Sequence, residues 1–152
     1  MTHIILLQPR IPQNTGNIGR LCVAAQAKLH LIHPLGFHLD DKYLKRAGMD
    51  YWEHLDLKEW DCVEDFWECY PLDCNHYFFS TKAKKIFYEA RFQKECFLYF
   101  GREDAGIDEV ILQDNEEKTF KIPMSPKARS LNLATTVGIA LYEAIRQNGL
   151  QQ

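Results

Sequence analysis

The sequence predicts an α/β protein: a mainly parallel β-sheet with helices on both faces. Three observations carry that expectation. Short runs of Ile, Leu, Phe and Tyr are continuous rather than alternating, as in strands buried on both sides. Between them lie segments with apolar residues at helical spacing. The two patterns alternate along the chain, the order that crossover helices over a parallel sheet require. No repeat, low-complexity linker or composition shift divides the 152 residues, so one domain over 1–152 is expected.

The first strand is HIILL, His3 to Leu7. After Q-P-R-I-P-Q, Asn14 or Thr15 can cap a helix ending near Ala27. LHLIHP, Leu29 to Pro34, is a second strand, stopped by proline. Asp61 can cap a helix from Cys62 to Glu68, with Val63, Phe66 and Trp67 on one face. HYFFS (His76 to Ser80) and CFLYFG (Cys96 to Gly101) are further strands, DEVILQ is a short helix, and TFKIPM (Thr119 to Met124) is the last strand. The longest amphipathic helix runs from Ser130 to Gln147, with Leu133, Val137, Ala140, Leu141 and Ala144 at helical spacing and Ser130 as its cap.

Composition narrows the function classes. The charge of −3 speaks mildly against nucleic acid, because phosphate contacts need Lys and Arg. Basic residues nevertheless cluster at Lys42, Lys45 and Arg46, at Lys82, Lys84 and Lys85, and at Lys127 and Arg129; taken singly, each reads as a solvated face. The five cysteines form no C-x-x-C pair, which fits buried thiols better than zinc or disulfides. His30 and His33, three apart on a strand, point to opposite sides, so no shared metal is expected. The opening segment has no basic stretch or small-residue cleavage site, and no apolar run approaches membrane-spanning length. A cytoplasmic protein is expected, without membrane or metal.

Ligands of parallel sheets bind beyond the carboxyl ends of the strands, and three loops there carry unusual residues. In P-R-I-P-Q-N-T-G-N-I-G-R, Pro9 to Arg20, the prolines stiffen the chain, and Gly16 and Gly19 allow backbone to approach a partner closely. Arg20 alone reads as a surface arginine. In G-R-E-D-A-G-I, Gly101 and Gly106 bracket the acid Glu103, which an ordinary turn also explains. I-P-M-S-P-K-A-R-S-L-N-L, Ile122 to Leu133, is an open, proline-held loop leading to Ser130 and Asn132 at a helix start. G-x-G-x-x-G and the phosphate-cradling G-K-[ST] are absent, which disfavours a nucleotide-binding oxidoreductase.

The order and spacing of these loops resemble the SPOUT methyltransferase superfamily, and more closely its minimal branch, the tRNA (cytidine/uridine-2′-O)-methyltransferases acting at the wobble position. The resemblance takes in P-L-G-F, the stretch from Asp40 to Tyr51, Ser80 to Lys82, and Y-E-A-I-R-Q near the end, nearly the whole chain. It implies a trefoil knot near the C-terminus, a homodimer, and S-adenosylmethionine as donor, with S-adenosylhomocysteine as product and no metal. Carried over by position, it implies donor contacts from Phe79, Gly101, Glu103, Ile122, Met124, Ser130, Leu131 and Asn132. Arg20 takes the key catalytic role, with Asn14 near it; Lys82 and Arg129 serve RNA. The sequence departs from close relatives at Ala105, commonly Arg, and at Ala134, commonly Ser. The implied activity is 2′-O-methylation of the cytidine or uridine at position 34 of a tRNA. A ribosomal RNA ribose as target and a non-catalytic RNA-binding dimer are the alternatives; the lack of an added RNA-binding domain favours the tRNA branch.

Overall fold

The structure, a computed structural model, describes residues 1–150. Seven strands form one sheet: β1 (Thr2–Leu7), β2 (Lys28–Ile32), β3 (Leu57–Trp60), β4 (His76–Phe79), β5 (Lys85–Ile86), β6 (Cys96–Phe100) and β7 (Thr119–Lys121). Their order is β3-β2-β1-β6-β4-β7-β5 and every pairing is parallel. Alternate residues of each strand therefore feed two cores. Ile4, Leu6, Tyr77, Phe79, Leu98 and Phe100 pack on one face under helices α1 (Pro12–Ala24) and α5 (Leu133–Asn148). Ile5, Leu7, Phe78, Phe97 and Tyr99 pack on the other with Phe66 of α3 (Val63–Cys69) and Ile111 of α4 (Glu109–Asp114). The expected sheet with helices on both faces is present.

Several boundaries differ from the expectation. Helix α1 starts at Pro12, with Ile11 at its N-cap and no side-chain cap, rather than at Asn14 or Thr15. Proline suits the first helical turn, where its missing N–H leaves nothing unpaired. Cys62, not Asp61, stands at the N-cap of α3, again without a side-chain bond. Strand β7 ends at Lys121, three residues early, because Pro123 cannot donate to a ladder. Asn132, not Ser130, caps α5: its side chain accepts from Thr135 N–H at 3.2 Å.

Three elements were not foreseen: β3, β5 and the helix α2 (Lys42–Gly48), which continues into a 3-10 turn at Met49–His54. His30 and His33 do lie apart. His30 sits in the aromatic core and accepts from the Trp60 indole N–H, whereas His33 meets Glu59 at the surface. Among the described residues no group of three or more His, Cys, Asp or Glu could hold a metal ion, and no helix is long and apolar enough to cross a membrane.

Candidate functional site

Four neighbouring strands, β1, β6, β4 and β7, end on the same edge of the sheet and deliver their following loops to one place. There they enclose a cleft of about 510 Å³. The loop after β6 is its floor. Arg102 and Gly106 exchange two backbone hydrogen bonds, and Gly106 takes the left-handed φ of 72° that closes the loop. A side chain on Gly101 would collide with the Gly106 backbone, so the tight return needs glycine at both ends.

Glu103 ties this loop to the one after β1. Its carboxylate accepts from the N–H groups of Arg10 and Ile11, each at 2.8 Å, and from Asn14 Nδ2 at 3.4 Å. It therefore satisfies backbone donors at the start of α1 that no local cap serves. Asn14 Oδ1 in turn accepts from Asn132 Nδ2 at 3.0 Å. The amide orientations are mutually fixed: Asn132 Oδ1 faces the Thr135 N–H, which turns its Nδ2 to Asn14 and the Asn14 Nδ2 to Glu103. One relay thus locks three loops together.

Most expected positions meet here. Asn14, Phe79, Gly101, Glu103, Ile122, Ser130, Leu131, Asn132 and Lys82 all line the cleft. Met124 and Arg129 do not: both lie on the stretch of loop between Ile122 and Ser130, outside the lining. Arg20 does not either. It stands six residues beyond Asn14 on α1, roughly 9 Å along the helix axis, exposed, with its guanidinium 5.6 Å from the Tyr51 ring centroid. Gly16 and Gly19 are not part of the cleft lining. A Cβ at Gly16 would strike Leu44 O and one at Gly19 the Trp52 ring, so the close approach is to α2 and the turn after it.

Ile11, Thr81, Leu133 and Thr136 also line the cleft and were not foreseen. Ile11, Thr81 and Leu133 lie within stretches singled out above, and Thr136 lies one helical turn after Asn132. The basic residues Lys82, Lys84 and Lys85 are not free: they pair with Glu109, Glu116 and Glu117 at 3.0–3.4 Å. These pairs are exposed, hence weak and easily exchanged.

A larger cavity, about 740 Å³, lies across the Gly101–Ile107 loop, between α3 and α4. Its rim carries Glu64, Asp108, Glu109 and Asp114 against Lys82 and Arg102, an acidic excess. The smaller cleft, with its hydrogen-bonding wall and apolar Phe79, Ile122 and Leu131, is the better ligand site.

Residues 1–142 match the model of the SpoU rRNA Methylase family. The chain belongs to that family. Every residue of the cleft falls within the matched span, and the all-parallel sheet is the α/β fold of SpoU methyltransferases. A relative from Aeromonas hydrophila, a tRNA (cytidine(34)-2′-O)-methyltransferase, is 43% identical over 98% of this chain and 96% of its own length. Among solved structures, one concerned with 2-OH methylation of C/U34 on tRNA is 47% identical, with a TM-score of 0.88 over 97% of this chain and 95% of that one. An AdoMet-bound rRNA methyltransferase from Sinorhizobium meliloti is 27% identical, with a TM-score of 0.85 over 95% of this chain and 56% of that one.

Proposed function

We propose that this chain transfers a methyl group from S-adenosylmethionine to the 2′-hydroxyl of the wobble nucleotide, cytidine or uridine 34, in a tRNA anticodon loop. The carrying observation is near full-length similarity to a wobble-cytidine enzyme, joined to a ligand-sized cleft at the ends of four strands.

The cleft suits the donor. Its volume lies within the roughly 300–1,000 Å³ typical of small-molecule sites, and its wall alternates apolar and hydrogen-bonding groups. Phe79, Ile122 and Leu131 would flank the base, while Gly101, Ser130 and Asn132 offer polar edges. Glu103 braces this wall through the Arg10 and Ile11 N–H groups and, lining the cleft, keeps acceptor positions for the donor. The donor supplies a methyl group made electrophilic by its sulfonium. Its leaving group is a neutral thioether, so the reaction calls for no general acid and no metal.

The protein's tasks are alignment of the ribose oxygen and loss of its proton. Arg20 grips the phosphate beside the target ribose in fork-like fashion and steadies the oxygen as its proton leaves. It is not the base, because a guanidinium stays protonated in proteins; the proton passes to the gripped phosphate or to water. Asn14 links the helix that carries Arg20 to the donor wall. Because Arg20 stands outside the cleft of its own chain, a homodimer is part of the proposal, setting the Arg20 face of α1 beside a donor site. Lys82, on the rim, and Arg129 serve the RNA backbone. The reading includes a C-terminal trefoil knot, which the insertion of β7 between the earlier strands β4 and β5 supports. We place the enzyme, one domain, in the cytoplasm with its substrate.

Labelled methyl transfer to bulk tRNA, followed by digestion and mass mapping, tests the reading. A methyl on a base, or on a ribose outside the anticodon loop, would overturn it. Arg20→Ala should lose transfer while keeping donor affinity, and a fully active variant would refute the role given to Arg20. Light scattering at micromolar concentration should show twice the chain mass.

A further inference from the structure

The sequence from Asp40 to Tyr51 has no part in the cleft, yet the structure builds it with care against α1. Asp41 caps α2 by accepting from the Tyr43 and Leu44 N–H groups. Gly16 admits the Leu44 carbonyl and Ala47 against α1, and Gly19 admits the Trp52 ring. Met49, at a left-handed φ of 54°, turns the chain from α2 into the 3-10 turn. The last product of this packing is the Tyr51 ring beneath the Arg20 guanidinium, at 5.6 Å. Arg20 has no carboxylate partner among the described residues, unlike Lys82, Lys84 and Lys85.

We propose that Tyr51 is a positioning residue for the methyl transfer, acting by restraining the Arg20 guanidinium. The inference rests on the phosphate-gripping role of Arg20 proposed above. An exposed arginine otherwise samples many rotamers, and a bidentate grip demands one orientation. An aromatic face attracts the cation while leaving the N–H fork free for a phosphate, which a carboxylate partner would occupy. The two glycines of N-T-G-N-I-G-R then have a common purpose, since they seat the segment whose far end holds the arginine of the same motif.

Tyr51 is exposed, so its replacement leaves the core intact. Tyr51→Leu should lower kcat roughly three- to thirty-fold, the range into which a cation–π contact plus part of an arginine's side-chain entropy converts. Donor affinity and the melting midpoint should stay unchanged. Tyr51→Phe, which keeps the ring, should retain wild-type kcat. The proposal fails if Tyr51→Leu turns over like wild type, or if Tyr51→Phe is as slow as Tyr51→Leu, which would make the hydroxyl the active feature. Arg20→Ala is run beside them: if it is fully active, the role of Arg20 itself is wrong. If it is dead while Tyr51→Leu is normal, only the positioning role is lost.

Discussion

At the scale of single residues, the Glu103–Asn14–Asn132 relay ties three loops together through one buried amide, Asn14, between a half-buried carboxylate and an exposed amide. Asn132 has two tasks, capping α5 and anchoring Asn14. Asn132→Ala removes both, and loss of a cap alone costs about 1 kcal/mol. Its melting midpoint should fall modestly, and donor affinity, read by calorimetry, should fall with it. Glu103→Gln is the sharper test. One acceptor oxygen becomes an NH₂ facing a backbone N–H, leaving a donor unpaired at a cost of about 1–3 kcal/mol. Binding of S-adenosylmethionine should weaken. Wild-type donor affinity in Glu103→Gln would show that the relay does not shape the cleft.

At the scale of elements, legibility followed burial. Strands β1, β4 and β6 are buried on both faces and stand out as continuous apolar runs. The two sheet edges do not: β3 keeps Lys58 and Glu59 in solvent, and β5 is two residues long. Helix α2 has no apolar period of its own, since only Leu44 and Gly48 are buried, and its stability comes from a cap and a tertiary contact. The cleft was readable because its four loops follow strands that were readable. Arg20's distance from it was not, because helical phase says nothing about which chain an exposed residue serves. Nor was the partner of Gly16 and Gly19, since close approach to a ligand and to a helix ask for the same residue. Gly16→Ala separates these meanings. Its Cβ would press on the Leu44 carbonyl and Ala47, so stability should drop by about 1–3 kcal/mol, the usual cost of overpacking. Denaturant unfolding measures this; an unchanged midpoint would mean that α2 sits loosely on α1.

At the scale of the molecule, the two faces of the sheet are unlike each other. The α1/α5 face is mostly aliphatic and aromatic, whereas the α3/α4 face buries His3, His30 and His76 among Phe66, Tyr70, Phe97 and Tyr99. Their tautomers follow from the donors around them. The Trp60 indole N–H points at His30 Nδ1, so the His30 proton sits on Nε2 and is donated to His3 Nδ1 at 2.9 Å. Trp67 donates to the Tyr99 hydroxyl, which donates to His76 Nδ1 at 2.6 Å. All three rings are thereby held neutral, and adding a proton to His30 would set two N–H groups against each other.

Burial is the chief cause lowering all three pKa values, His3 to about 4 and His30 to about 3; Lys28 opposes the charged form of both, and Lys118 that of His76, where Asp73 pulls the other way. The unfolded chain titrates these groups near 6.5, so between that pH and about 4 it binds more protons than the folded one. The histidine contribution is therefore complete above 6.5 and is lost as pH falls. Each group adds a slope approaching about 1.4 kcal/mol per pH unit, so His3 and His30 together approach twice that. Urea unfolding at fixed protein concentration should give a clearly lower stability at pH 5 than at pH 7, while most carboxylates are still ionised. Equal stability at the two pH values would mean that the histidine layer opens to water or accepts protons without unfolding.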